Sequence, residues 1–254
     1  MLDRHYFDDQ TELINYLSKS WRVVESQENV ATLNIVDTME EQGVLEALID
    51  EVKPRYRVGT ENLHYLIKTA FRYPPLKYGS RFGTRAMPSY FYASEDISVA
   101  FAETAYYRFL FFTHISTPYN EAVDSKHTAF SVLLRSSSCL DLCAEIFSPL
   151  AERLTDKSSY EYCQAVGDWA VNQRGADLIR FTSARAVPHP ERPANANLAV
   201  VEPMVINSKK PESQETWLCR TTKDRVSFSS RSAAEPLIFS IESFQVDGAL
   251  PMLS

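Results

Sequence analysis

Apolar and polar positions recur in two periods along this chain, near 3.6 in some segments and near 2 in others, which predicts a mixed α+β protein. Residues 9–20 (DQTELINYLSKS) place Leu13, Ile14 and Leu17 on one face of a short helix, and WRVVES after it reads as a strand. A second helix is expected over 37–52, with Asp37 or Thr38 as cap and Met39, Val44, Leu45, Leu48, Ile49 and Val52 as its apolar set. Pro54 stops it. YRV and then HYLIKTA predict a short strand or loop and a helical turn. Residues 71–88 hold four prolines or glycines in their first thirteen positions and so form a loop.

SYFYA (89–93) is a short aromatic strand, and Ser94 is the expected cap of a helix running to about Phe112. Glu95 and Asp96 fall in its first turn, where the helix dipole favours negative charge. HTAFSVLLRSS (127–137) reads as a strand, and Cys139 to Arg153 as partly helical. A helix over Tyr160–Arg174 should end at Gly175, and ADLIRF (176–181) and NLAVVEPM (197–204) are further strands. Between these strands TSARAVPHPERP is a Pro-rich loop, NSKKPESQE is a second polar loop, and VSFSS with LIFSIESFQV closes the chain as a hairpin or meander. Apolar segments continue across every loop. The reading is one α+β catalytic unit over 61–254 with a helical N-terminal extension over 1–60 packed on it.

Composition narrows the function classes. A net charge of −7 disfavours a broad basic face for nucleic acid, so an anionic ligand would need a local set of arginines. The seven glycines permit neither GxGxxG nor GxxxxGK[ST], which disfavours a Rossmann dehydrogenase and a P-loop nucleotidase. The four cysteines form no CxxC pair and read as reduced thiols. The N-terminus is polar and acidic, unlike a signal peptide, and no apolar run is long enough to span a membrane. The expectation is a soluble, cytoplasmic protein with no direct nucleic-acid or membrane partner; a homodimer is left open.

The chemistry-bearing residues gather between Phe71 and Arg108. Arg72 and Arg81 lie in the turn-rich loop, and a guanidinium fork suits phosphate oxygens. Each could equally be a solvated loop arginine. Tyr92 ends the aromatic strand, where its ring either packs in the core or stacks on a flat heterocycle. Glu103 is a lone acid in the apolar run SVAFAETAYYRFLFF: a helix-surface carboxylate, a partner of Arg108, or a group held for a developing cation. Arginine forks, aromatic faces and one carboxylate are what a site for a dinucleotide such as NAD needs. Ser183 follows strand ADLIRF without a surrounding GxSxG, which suits hydrogen bonding rather than nucleophilic attack. The five histidines are scattered, with no HExxH, so no metal site is expected.

GSRF (79–82), YFYAS (90–94), AFAE (100–103) and LIRFTSAR (178–185) resemble, in order and rough spacing, the RES domain, a family named for an arginine, a glutamate and a serine. FRYPPLKYGSRF, QAVGDWA (164–170) and ETWLC (215–219) resemble its longer bacterial members, and the resemblance covers about residues 36–245. It implies an ADP-ribosyltransferase-like mixed β-sheet core flanked by helices. It also implies the toxin half of a toxin–antitoxin pair with an Xre-type antitoxin, and NAD as a substrate rather than a cofactor, consumed by phosphorolysis or hydrolysis.

On that resemblance Glu103, Ser183 and Arg72 are the expected catalytic residues, with Arg81, Tyr92 and Tyr73 binding substrate. Compact members carry the first arginine in a YR[IV]-like segment, matched here by Arg57 or Arg72; Arg72 is preferred because FRYPP runs directly into GSRF. Phe82 stands where the GRW-like motif has tryptophan. Glu103 would stabilise an oxocarbenium-like ribose, Arg72 and Arg81 hold the pyrophosphate, Tyr92 meet the nicotinamide and Ser183 bond the ribose or amide. Inorganic phosphate or water would be the acceptor. Two other readings stand beside it: ADP-ribosyl transfer to a protein, and a non-catalytic member that only binds its antitoxin.

Overall fold

The computed structural model describes Phe7 and residues 11–26, 36–115, 121–186 and 195–251. Strand β1 (Ile14–Glu25) is followed by helix α1 (Met39–Val52), the short α2 (Tyr65–Lys68), β2 (Phe91–Ser94) and the long α3 (Ile97–His114). Then come β3 (Val123–Asp141), α4 (Ala151–Leu154), α5 (Glu161–Asp168), β4 (Leu178–Thr182), β5 (Ala196–Val200), β6 (Ser213–Thr221), β7 (Arg225–Ser229) and β8 (Leu237–Ser240). The sheet has eight strands in the order β1-β2-β5-β4-β3-β6-β7-β8, and β1 also pairs with β3, so β1, β2, β5, β4 and β3 close into a ring. Among the described residues β3–β4 is the one parallel pair and the other strand pairs are antiparallel. This is the α+β sheet core flanked by helices that the sequence predicts.

Two elements differ from expectation: β6 was not foreseen as a strand and begins inside the expected polar loop NSKKPESQE, and the first segment changes type. The segment expected as a helix over 9–20 is β1 from Ile14 onward, paired antiparallel with β3 from Ile14↔Cys139 to Glu25↔His127; residues 9 and 10 lie outside the described residues. Leu17 and Ile14, on the face expected to be buried, are exposed. The stripe is compatible with a helix, but a ladder to β3 gives every second residue a partner that local periodicity cannot report. Within the first sixty residues, therefore, one strand belongs to the sheet and α1 is the helical part.

Helix α1 forms where expected, with the Thr38 hydroxyl accepting from the Glu41 backbone N–H. Its apolar set is largely exposed: Met39, Val44, Leu48 and Val52 all face outward. Arg72 ties its end to the loop, donating to the Pro54 carbonyl at 2.6 Å and to Asp50 at 3.2 Å while stacking on Tyr56. Helix α5 continues through a π turn over Trp169–Gln173, and Gly175 follows at φ +73°. Much of the Pro-rich loop after Ser183 lies outside the described residues.

Around β4 and β5 the sheet is buried on both faces, which explains the continuous apolar runs of these two strands, whereas β6, β7 and β8 keep one face toward solvent. Leu178, Leu198 and Val200 join Phe91, Phe130 and Leu134 on one face. Ile179, Phe181 and Ala199 join Phe82, Phe147 and Trp169 on the other. A third cluster packs Phe101, Ala105, Tyr106 and Phe109 of α3 against Trp217, Phe228, Phe239 and Phe244. Phe101 and Phe109 have no exposed surface, and burial of each such ring is worth about 1.5–3 kcal/mol. Anchored this way, α3 has one polar face left, and Glu103 lies on it.

Helix α5 lies directly against the 79–83 loop. A β-carbon at Gly167 would sit 1.9 Å from the Phe82 carbonyl oxygen, closer than any atom can approach. Gly167→Ala should therefore lower unfolding stability by about 1–3 kcal/mol or more, read from the urea midpoint. Gly43→Ala is the control: nothing lies within 4 Å of its β-carbon position inside α1. It should stabilise by about 0.5–1 kcal/mol.

Candidate active site

Strand register assembles the site. Ser94 of β2 lies opposite Asn197 of β5, and Asn197 lies opposite Phe181 of β4. Tyr92 lies opposite Ala199, so by the two-residue period Tyr92, Ser94, Asn197 and Phe181 share one face of the sheet. Ser183 follows two residues after Phe181 at the strand end. Helix α3 starts just beyond Ser94, and two turns later delivers Glu103 over that row. Its cap is Asp96, whose carboxylate accepts from the Ser98 N–H at 2.7 Å, rather than the expected Ser94. Ser94 is buried and bonded to Asn197 instead.

Two donors converge on one carboxylate oxygen. The Ser183 hydroxyl donates to Glu103 Oε1 at 2.7 Å, and the Asn197 amide donates to the same atom at 2.7 Å. Ser183 Oγ itself accepts the backbone N–H groups of Arg185 and Ala186, each at 3.1 Å. With its lone pairs taken by those amides, the hydroxyl proton is directed at Glu103. Arg185 Nη1 lies 4.0 Å from Oε2, and its guanidinium stacks on Tyr106 at 3.9 Å. Burial alone would lower the Arg185 pKa, but Glu103, then Tyr160 and Tyr107, raise it, so Arg185 is a fixed cation. Glu103 keeps a quarter of its side chain exposed, at 24%.

The other expected residues fall in two groups. Arg81 is buried, stacks on the Tyr160 ring at 4.8 Å, and donates to the carbonyls of Leu154 and Asp156 at 3.2 and 2.9 Å. Tyr160 also receives a long 3.5 Å contact on its hydroxyl from Arg185 Nη2, so one ring joins the two guanidiniums. Tyr92 donates to Ser80 at 2.8 Å and accepts the Phe82 N–H at 3.2 Å; burial pushes its hydroxyl pKa up to about 12. Its visible task is to hold the GSRF loop. Gln164 of α5 holds the same loop through the carbonyls of Tyr78 and Ser80.

Arg72 and Tyr73 are not brought to Glu103. The Arg72 guanidinium donates to Pro54, Asp50 and Tyr56, and the exposed Tyr73 offers its carbonyl to Ser89. Arg57, the alternative first arginine, donates to the Val201 carbonyl and to Glu202. Asn197 and Arg185 were not foreseen. The available signal was a single asparagine in the otherwise apolar ANLAV, and an arginine inside the LIRFTSAR motif itself.

Two open cavities, of about 700 and 590 Å³, lie beside β3–β6–β7 and beside α3; neither is lined by Glu103, Ser183 or Asn197. Hydrogen bonding rather than volume locates the site. Among the described residues no group of three His, Cys, Asp or Glu side chains is arranged for a metal, and no helix is long and apolar enough to cross a membrane.

The RES domain signature matches residues 54–221, two thirds of the chain. The chain belongs to the RES domain family. The matched span contains Arg81, Tyr92, Glu103, Ser183, Arg185 and Asn197, so the cluster described above is made entirely of RES residues. No curated protein matches the chain. Among solved structures, a chain of the M. tuberculosis MbcT–MbcA toxin–antitoxin complex is similar over 83% of this chain and 88% of that one, with 10% identity and a TM-score of 0.47. A likeness of that size carries no argument about activity.

A second polar group braces the site from behind. Arg180 of β4 donates to Glu95 at 2.6 Å and to Asp141 at 3.0 Å, and Tyr16 of β1 donates to Glu95 at 2.6 Å. The bridge ties the start of α3 to the strand that leads into Ser183. Burial would raise the Glu95 pKa, but the Arg180 and Tyr16 hydrogen bonds outweigh it and hold the carboxyl below its ordinary 4.5. A depressed carboxyl contributes stability that is full above 4.5 and lost as pH falls through its lowered folded value. Arg180→Gln should thus be less stable than wild type at neutral pH, with the gap narrowing as urea titrations are taken down to about pH 3. A gap that stays constant with pH would contradict this role for Glu95.

Proposed function

We propose that this RES protein is an enzyme that cleaves the nicotinamide–ribose bond of NAD, with inorganic phosphate or water as acceptor. The observation that carries the proposal is the Glu103 carboxylate, fixed by Ser183 and Asn197 on one oxygen with the other left toward Arg185. Nicotinamide departs as a neutral base from a cationic nucleotide, so no general acid is required. The C–N electron pair goes to the ring nitrogen, the acceptor oxygen bonds the anomeric carbon, and the acceptor gives up a proton to solvent. The barrier is the oxocarbenium-like ribose between those events. A carboxylate already fixed beside it stabilises that charge without reorganising.

In this reading Glu103 meets the ribose and Ser183 both aims the carboxylate and bonds the substrate edge. Arg185 is the guanidinium beside the carboxylate, whereas Arg72, expected at the pyrophosphate, is held by Pro54, Asp50 and Tyr56. Arg81 Nη2 is buried with no hydrogen-bond partner among the described residues, a donor that a substrate phosphate reaching it would satisfy. Tyr92 acts by holding the GSRF loop that carries Arg81. Membership of the RES family supports a toxin role, with an Xre-type antitoxin as partner.

Incubation of antitoxin-free protein with NAD tests the assignment. Glu103→Ala should release nicotinamide about 10²–10³-fold more slowly than wild type while remaining folded. Undiminished release would remove Glu103 from the mechanism. Acceleration by phosphate identifies phosphorolysis, equal rates identify hydrolysis, and label transferred to a protein identifies ADP-ribosyl transfer.

A further inference from the structure

The amide of Asn197 is the least explained contact in the cluster. Asn197 is buried at 5% exposure in a strand whose five residues are all buried, so a polar side chain there must be satisfied internally. Its Nδ2 donates to Glu103 Oε1 at 2.7 Å, and its Oδ1 accepts from the buried Ser94 hydroxyl at 2.6 Å. The Glu103 carboxylate can only accept, so the amide must turn its nitrogen toward Oε1, which leaves Oδ1 to take the Ser94 hydroxyl proton. Ser94 thus holds the far end of an amide whose orientation the carboxylate dictates.

We propose that Asn197 is a positioning residue, held in place by Ser94, that with Ser183 saturates Glu103 Oε1 and leaves Oε2 as the oxygen that accepts a hydroxyl of the substrate ribose. The proposal rests on the reading of Glu103 as the site carboxylate. Both donors reach Oε1 from residues on the sheet, β5 and the end of β4, so the carboxylate plane is set by two fixed elements. Arg185 Nη1 lies 4.0 Å from Oε2, too long for a hydrogen bond, and among the described residues no hydrogen bond reaches Oε2, so it keeps room for a donor. The other titratable groups around the pair are Tyr107, which acts on Glu103 directly, and Tyr106 and Tyr160, which contact Arg185.

Asn197→Asp separates positioning from bulk structure because it keeps the shape and replaces the donor by a second carboxyl. Two carboxyls in hydrogen-bond contact share a proton, and with that proton in place the introduced carboxyl can still donate to Oε1. Nicotinamide release by Asn197→Asp should therefore approach wild type at acid pH and fall as pH rises and the shared proton leaves. Wild type should show no such falling limb. Asn197→Ala should lose about 10–100-fold in kcat, the loss expected for one hydrogen bond to a charged group. Ser94→Ala should give a smaller loss, because Oδ1 then lacks its donor while Nδ2 still faces Glu103. A pH profile for Asn197→Asp parallel to wild type, with each variant folded by thermal unfolding, overturns the proposal.

A second measurement keeps the inference independent of the enzymatic reading. With ¹³C-labelled glutamate carboxyls, the Glu103 resonance, assigned by its loss in Glu103→Gln, should titrate at higher pH in Asn197→Asp than in wild type. An unchanged midpoint removes the contact even if NAD is cleaved. A raised midpoint in a protein that leaves NAD intact keeps the positioning and discards the substrate.

Discussion

The site depends on two hydrogen bonds to one atom, Ser183 and Asn197 onto Glu103 Oε1. A carboxylate on a helix whose other faces are packed in aromatic core loses much of its hydration on folding. It stays ionised and immobile when donors replace the water that burial removes. Here the donors come from the end of β4 and from β5, while the carboxylate comes from α3, so three elements distant in sequence must dock together for the group to exist. The Glu95–Arg180–Asp141 bridge lies along the same seam, between the start of α3 and β4. Loosening the seam would release the carboxylate before it unfolded the core.

The arginines divide by what they are paired with. Arg72 and Arg57 are held to acceptors near α1 and after β5, with Asp50 and Glu202 as their acidic partners. Arg185 is held near Glu103 by tyrosine rings, and Arg81 is held by carbonyls at the end of α4 without a carboxylate contact. In an acidic protein, two buried guanidiniums are joined by Tyr160, with Glu103 facing one and Asp156 near the other, and the amino groups without carboxylate contacts remain as donors. Such donors are the kind of environment an anionic substrate group needs, and they are set by aromatic stacking rather than by a glycine-rich phosphate loop.

Elements with a local cause were readable in the sequence. The helix of Glu103 announced itself by its apolar run and acidic start, α1 by its cap and Pro54, and the end of the α5 segment by Gly175. What depended on distant partners was not readable. β1 carries a stripe compatible with a helix and becomes a strand because β3 pairs with it. Ser94 has the identity of a cap, but Asn197 across the strand claims its hydroxyl, and Asp96 caps instead. The pairing of Glu103 with Ser183 followed the order of motifs along the chain. Arg185 and Asn197 needed the register of β4 and β5, and the choice between Arg72 and Arg57 could not show that Asp50 of α1 holds the first and Glu202 the second.

QAVGDWA and GSRF are coupled for a steric reason that their separation in sequence conceals. Gly167 lets the α5 backbone approach the Phe82 carbonyl, and Gln164 bonds the same loop, so the helix fixes the loop that carries Arg81. The central claim remains chemical: that the fixed carboxylate serves the cleavage of a pyridinium–ribose bond. It is tested most directly by following NAD with the purified, folded protein by proton NMR. The account predicts free nicotinamide appearing together with ADP-ribose or its phosphate. NAD that stays intact alongside folded protein, with and without phosphate, would contradict it.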